Sequence, residues 1–215
     1  RMPEIPSAIL ETLSHQNFPD MRLGHDPNFK FALARAVYKS ILRFMCNQHG
    51  TVATVTPLAP SYFHINYLYN GQIKLGWRET NDELVPTAKP TGYILYTAVD
   101  SAGFDNGRLV KQNEIELTLR PHSTYRFKVA AVNEGGESFT TETLSAYYQP
   151  EATNTILVVD GFDRLSSPAV IDTQQLQGFD LNEDLGVSLG TQAAWIGYQQ
   201  NFNKRAAGVD GWQGL

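Results

Sequence analysis

The chain has 215 residues and a net charge of −5, which suits one large domain, or one domain of about 100 residues with parts of others. The excess of acidic residues argues against broad binding to a nucleic-acid backbone. No segment approaches the roughly 18 apolar residues that span a bilayer, and the single cysteine, Cys46, excludes an intrachain disulfide and a cysteine zinc cluster.

The first 50 residues predict one strand and one helix. The apolar run within Ile5 to Leu13 is typical of a strand buried on both faces. A predicted loop, residues 14–25, leads to Asp26-Pro27, a helix cap followed by a proline at the first helical position. An amphipathic helix is predicted from Asn28 to Met45, with these apolar residues on one face: Phe31, Ala34, Tyr38, Ile41, Leu42 and Met45. We interpret residues 1–50 as the last strand and helix of an incomplete α/β domain.

The middle of the chain predicts an antiparallel β-sandwich. Residues 51–60 are rich in proline and β-branched side chains, which favours a domain boundary there. Beyond it, apolar and polar residues alternate, as in strands with one buried face. The alternating apolar residues are Ile73, Leu75, Trp77, Tyr93, Leu95, Ile115, Leu117, Leu119, Tyr125, Phe127, Val129 and Ala131. The sandwich is therefore assigned to residues 51–150.

One spacing within this region predicts a specific hydrogen bond. Tyr125 opens a late strand a few residues after Leu119 and a turn, so its ring can be buried while its hydroxyl bonds back to the preceding loop. Together with Trp77 and the strand GYILYTA, this tyrosine corner resembles a fibronectin type III domain over residues 57–149. The resemblance implies a seven-stranded sandwich with a spacer or docking role.

Residues 151–215 predict the start of a further, incomplete α/β-like segment. The strand TILVVD runs into a Gly-Phe-Asp turn, which places Asp160 at the carboxyl end of a sheet. An acidic loop at 178–190 and a short helix at 192–204 follow. One interpretation is a sugar or metal site in which Asp160 and Trp195 contribute to binding, because aromatic faces stack on sugar rings. The alternative is a solvated loop, which is favoured because no calcium-loop spacing is met.

Glu11 is the candidate catalytic residue. The stretch IPSAILETLSHQNFPDMR and the helix after it resemble the C-terminal end of zinc-dependent N-acetylmuramoyl-L-alanine amidases. The resemblance implies that Glu11 is the general base and that zinc belongs to the parent enzyme, held by upstream residues rather than by this chain. Thr12-Leu13 replaces the family's usual Gly-Phe. The alternative is a strand-end carboxylate bonded to nearby backbone N–H groups.

The two histidines that flank the following loop do not form a zinc motif. His15 and His25 have no third ligand at a compact spacing. We therefore predict no metal site in this chain, and we expect His15 to line a substrate groove.

The chain as a whole resembles large exported Bacteroidetes proteins that carry a xanthan lyase or amidase-like label. This resemblance implies an extracytoplasmic location, whether periplasmic, cell-surface or secreted. It also implies peptidoglycan, another polysaccharide or neighbouring domains as partners. Both ends of the chain look cut short, so we expect a fragment of a multidomain cell-envelope or polysaccharide-acting hydrolase that is inactive alone. The alternative is a non-catalytic module that binds carbohydrate or protein.

Overall fold

The computed structural model describes residues 7–158 and 170–179. The described residues belong to two compact units, one containing residues 7–38 and 170–179 and the other containing residues 39–158.

Two helices lie in the first 50 residues: α1 (Phe18–His25) and α2 (Pro27–His49). The predicted cap of α2 is confirmed, because the Asn28 N–H donates to the Asp26 carboxylate at 2.8 Å. Gly50, with φ of +64°, follows the end of α2. Helix α1 falls inside the predicted loop 14–25, so that prediction is wrong.

The predicted strand at the start of the chain is also corrected. Residues 7–14 contain no helix or strand, and Ile9 is 89% exposed. A strand buried on both faces needs neighbours that pair its backbone groups, and no described strand pairs with this segment. The same correction applies to residues 155–158, which are irregular and exposed. The rest of that predicted strand, the acidic loop beyond Phe179 and the helix at 192–204 lie outside the described residues.

Eight antiparallel strands form the sandwich. They are β1 (Ser61–Tyr67), β2 (Gln72–Arg78), β3 (Gly92–Val99), β4 (Arg108–Val110), β5 (Glu114–Thr118), β6 (Thr124–Asn133), β7 (Gly136–Thr140) and β8 (Leu144–Tyr147). One sheet has the order β1-β2-β5, and the other has the order β4-β3-β6-β7 with β8 also paired to β6.

Two strands, β7 and β8, pair with the same side of β6 and together form one edge of the second sheet. Strand β7 pairs with residues 130–133 of β6, and β8 pairs with residues 124–127. The expected single last strand is thus split, which gives eight strands instead of seven. The prediction of a mainly β fold with a fibronectin type III-like sandwich is confirmed.

The core lies between the two sheets, where the alternation predicted it. Ile73, Leu75 and Trp77 on β2 are at most 2% exposed, as are Phe127 and Val129 on β6. The tyrosine corner is confirmed as well, because the Arg120 backbone N–H donates to the Tyr125 hydroxyl at 3.3 Å.

The predicted boundary segment, residues 51–60, packs on the sandwich. Val55 and Pro57 are buried, and the Asn133 side-chain amide donates to the Val55 carbonyl at 2.9 Å. A Cβ atom on Gly135 would come within 2.3 Å of the Thr54 carbonyl oxygen. The loop after β6 therefore needs a glycine, because only a residue without a side chain lets the two backbones approach this closely.

A separate hairpin belongs to the first unit. It consists of β9 (Val170–Asp172) and β10 (Gln177–Phe179), which are antiparallel.

Candidate functional site

Glu11 and His15, the candidate residues of the N-terminal segment, are both exposed. Glu11 lies in the irregular stretch 7–14, and His15 lies in the turn before α1. The backbone bonds that close this turn involve other groups, such as the Ser14 N–H donating to Asp20 at 3.0 Å. Within the described residues, Glu11 makes no hydrogen bond or ion pair, so its carboxylate is accessible to solvent and to ligands.

The other two predicted site residues, Asp160 and Trp195, lie outside the described residues. Their role in substrate binding stays a prediction. Glu11 and His15 are the predicted site residues that the described part of the chain contains.

His25 is held by aromatic packing. Its ring meets the edge of Phe179 at a centroid distance of 4.8 Å, and its buried Nδ1 has no hydrogen-bond partner in the described part of the chain. Burial, and to a smaller extent the nearby Lys30 ammonium, lowers the pKa of His25. The imidazole is therefore neutral at pH 7. Within residues 7–158 and 170–179, neither His25 nor His15 belongs to a group of three metal-ligating side chains.

The contacts around His25 join α1 to the hairpin β9–β10. Phe18 packs against Phe179 at 5.7 Å, and the Arg22 guanidinium lies 3.4 Å from the Asp172 carboxylate. The Gln177 amide donates to the same carboxylate at 2.9 Å. Because the ion pair is about half exposed, it contributes at most about 1 kcal/mol. We interpret this cluster as a structural contact, with the aromatic rings providing most of the stabilisation.

A buried ion pair joins α2 to the sandwich, and sequence reasoning missed it. The Lys39 ammonium lies 2.6 Å from the Asp82 carboxylate, with both side chains at most 10% exposed. The other Asp82 oxygen accepts the N–H groups of Leu84 and Val85, each at 3.1 Å. An aspartate that accepts hydrogen bonds from the N–H groups two and three residues later is typical of a turn, and Asp82 in a polar loop was the signal available in the sequence. The partner, Lys39, had no signal in the sequence.

The predicted apolar face of α2 is partly covered, because Tyr38 and Leu42 are half-buried. Lys39 is buried, whereas Ile41 and Met45 of the predicted apolar face are 58% and 47% exposed. The helix was predicted correctly, whereas the burial of Lys39 beside Asp82 was not predicted.

Two aromatic rings beside the second sheet, those of Tyr96 and Phe104, lie close to the same cation. The Lys128 ammonium lies 4.5 Å from the centroid of Phe104 and 5.5 Å from that of Tyr96. The Tyr96 hydroxyl donates to Glu137 at 2.6 Å, and this bond raises the pKa of Tyr96 to about 12. A sugar ring stacks on an open aromatic face, and the Lys128 ammonium occupies such positions on Tyr96 and Phe104.

A groove runs along one edge of the sandwich between β4 and β5. Its lining comprises Arg108, Leu109, Val110, Lys111, Gln112, Glu114, Ile115 and Glu116. Among the described strands, both are the outermost of their sheets, so the groove lies at an edge where no described strand closes the two layers. Sequence reasoning did not find it, because it depends on which strands lie at the edges. Among the described residues, neither helix is long and apolar enough to cross a bilayer.

Comparison with family models and with curated proteins finds no match. Among solved structures, the chain is similar to "FN3tt mut", with 24% identity over 43% of this chain and 97% of that chain, at a TM-score of 0.36. It is also similar to domains A168–A170 of titin (20% identity, 44% of this chain, 32% of that chain, TM-score 0.38). A third similar structure is the twitchin kinase region from C. elegans (16% identity, 53% of this chain, 22% of that chain, TM-score 0.41).

Proposed function

We propose that residues 39–158 act as a rigid, non-catalytic spacer and docking module of a multidomain protein. The observation that supports this proposal is the self-contained core, in which Trp77, Leu95 and Phe127 are at most 2% exposed. Opening such a core costs about 25 cal/mol for each Å² of apolar surface that becomes exposed. The sandwich can therefore hold a fixed geometry without help from another domain.

The setting we propose is an exported, extracytoplasmic protein that acts on peptidoglycan or another polysaccharide. This part of the proposal rests on the resemblances of the flanking sequences. The described residues do not fit a zinc centre, because they offer no cluster of three ligands. We accordingly assign no catalytic step through zinc to this chain.

The second candidate function is hydrolysis with Glu11 as the base. It is supported by the exposed Glu11 carboxylate, which is free of hydrogen bonds within the described residues. Against it stands the irregular backbone of residues 7–14, since a general base must be held within hydrogen-bond reach of the proton that it removes.

Digestion of purified peptidoglycan separates the two candidates. The spacer proposal predicts that neither the unmodified chain nor Glu11→Gln releases muropeptides. If the unmodified chain releases muropeptides and Glu11→Gln does not, the second candidate function is established and the first is overturned.

Rigidity is tested by the distance between two spin labels within residues 39–158. Asn47 and Glu151 are exposed, and we would convert both to cysteine in a Cys46→Ser background. A spacer predicts one narrow distance distribution. A broad distribution, with the chain folded as judged by its amide spectrum, would contradict the proposed role.

A further inference from the structure

The outer edge of β5 presents backbone groups that pair with no other strand in the described part of the chain. Two hydrogen bonds define the β2–β5 ladder: the Leu119 N–H donates to the Gly71 carbonyl at 2.8 Å, and the Trp77 N–H donates to the Asn113 carbonyl at 3.0 Å. Bonded pairs in an antiparallel ladder recur at every second residue, so the odd-numbered residues of β5 bond to β2. The N–H and C=O groups of Glu114, Glu116 and Thr118 point instead to the open edge, which no other described strand covers.

An apolar strip lies beside this edge, at the bottom of the groove between β4 and β5. Val110 is buried and Ile115 is half-buried, while Leu109 is 64% exposed. A strand added to β5 would direct every second side chain to this strip. An apolar side chain at those positions would cover surface that the sandwich leaves accessible.

The charges along the groove discriminate between the two faces of an added strand. On the solvent face, Lys74 pairs with Glu114 at 2.8 Å and lies opposite Glu116 in the ladder, so these three side chains carry a net charge of −1. On the other wall, Arg108 and Lys111 make no ion pair within the described residues. A basic side chain is therefore attracted on the outer face and repelled on the inner one.

We infer that the edge of β5 is a strand-addition site for an extended peptide in which basic and apolar residues alternate. The basic residues lie beside Glu114 and Glu116, and the apolar residues lie on Val110 and Ile115. A shift by one residue would exchange the two sets, so the charges fix the register. A second copy of this chain is a poor occupant, because antiparallel pairing of two β5 edges centred on Glu116 would bring like carboxylates together. The site does not depend on the spacer role, which would stand if no peptide bound.

The test uses the full chain labelled with nitrogen-15 and two acetylated, amidated nine-residue peptides. One peptide alternates lysine and valine, and the other alternates glutamate and valine. We expect the lysine peptide to shift the amide signals of residues 114–118 and to slow hydrogen exchange at the Glu116 N–H. The glutamate peptide should bind at least about tenfold more weakly than the lysine peptide. Equal binding of the two peptides, or shifts confined to another surface, would overturn the inference.

Two variants of one residue separate the backbone contribution from the charge. Glu116→Pro removes an N–H that points away from β2, so the ladder stays intact, as for prolines on edge strands. Because it also removes the carboxylate, its control is Glu116→Gln, which removes the charge and keeps the N–H. Relative to that control, Glu116→Pro should weaken the lysine peptide about tenfold or more through the lost backbone bond. Glu116→Lys keeps that N–H and should reverse the preference towards the glutamate peptide. If Glu116→Lys folds and keeps the original preference, or if Glu116→Pro folds and binds as tightly as Glu116→Gln, the site is wrongly placed. Concentration-dependent dimerisation that competes with the peptide would instead assign the edge to a second copy.

Discussion

Removal of one partner of the Lys39–Asp82 pair is expected to cost far more than removal of an exposed ion pair of similar length. The two side chains are 10% and 6% exposed and their charged atoms are 2.6 Å apart. Lys39→Met removes the ammonium that lies 2.6 Å from the buried Asp82 carboxylate, and removal of one partner of a buried ion pair costs about 3–5 kcal/mol. Asp82 keeps its two backbone N–H donors, which places the expected cost at the lower end of that range.

Lys74→Met is the matched control. The Lys74–Glu114 pair spans 2.8 Å, but its side chains are 32% and 53% exposed. Water solvates the remaining carboxylate there, so the expected cost is below about 1 kcal/mol. The two variants thus remove the same chemical group from pairs that differ mainly in burial.

Urea titration followed by two-dimensional amide spectra measures both costs. The signals of residues 39–49 report on α2 and those of β6 report on the sandwich, so the opening of each is observed separately. A free-energy loss in Lys39→Met no larger than that in Lys74→Met would refute the claim that the buried pair lacks solvation.

Three further predictions address the sandwich. Trp77→Ala should lower the free energy of unfolding by about 3–5 kcal/mol, since the ring is 2% exposed; a urea-denaturation change below about 1 kcal/mol would refute the core placement. Gly135→Ala should cost about 1–3 kcal/mol through the close Thr54 carbonyl, whereas Gly103→Ala, with no atom within 4 Å, should change stability by less than about 0.5 kcal/mol. The Tyr96–Glu137 bond raises the pKa of Tyr96 to about 12, above the ordinary value, so its stabilisation is fully present below pH 10 and is lost as the pH rises through 12. A carbon-13 titration of the tyrosine rings should show that Glu137→Gln returns this pKa towards 10; an unchanged value would exclude the bond as its cause.

The sandwich could be predicted from the sequence because its information is local. In β2, Ile73, Leu75 and Trp77 alternate with polar neighbours and all three are buried, which is the direct consequence of side chains pointing to opposite faces. The Tyr125 hydrogen bond spans five residues, so a short motif was enough to predict it.

The N-terminal strand and the orientation of α2 could not be predicted in the same way. The apolar run around Ile9 is compatible with a buried strand, but a strand exists only where another strand pairs with it. For α2, the apolar residues at helical spacing predicted one buried face, whereas the contact with Asp82 selected Lys39. That choice depends on a residue in a distant loop, and hydrophobic periodicity contains no information about it. Glu11 illustrates the same limit for function, because a motif can suggest a general base while the positions of its partners remain unspecified.

The buried pair has a second consequence, which concerns orientation more than stability. Apolar contacts are non-directional, and α2 also has Ile41 and Met45 available on another face, so burial alone does not select one rotation of the helix. A single ion pair at 2.6 Å does select one. The double variant Lys39→Met with Asp82→Asn removes both charges of this pair and keeps a side-chain oxygen for the Leu84 and Val85 N–H groups. The double variant should therefore cost less than the sum of the two single variants. It should nevertheless broaden the distance distribution between labels at residues 47 and 151, because the helix loses its directional contact. If the distance distribution stays as narrow as in the labelled chain that retains Lys39 and Asp82, packing alone sets the orientation of α2.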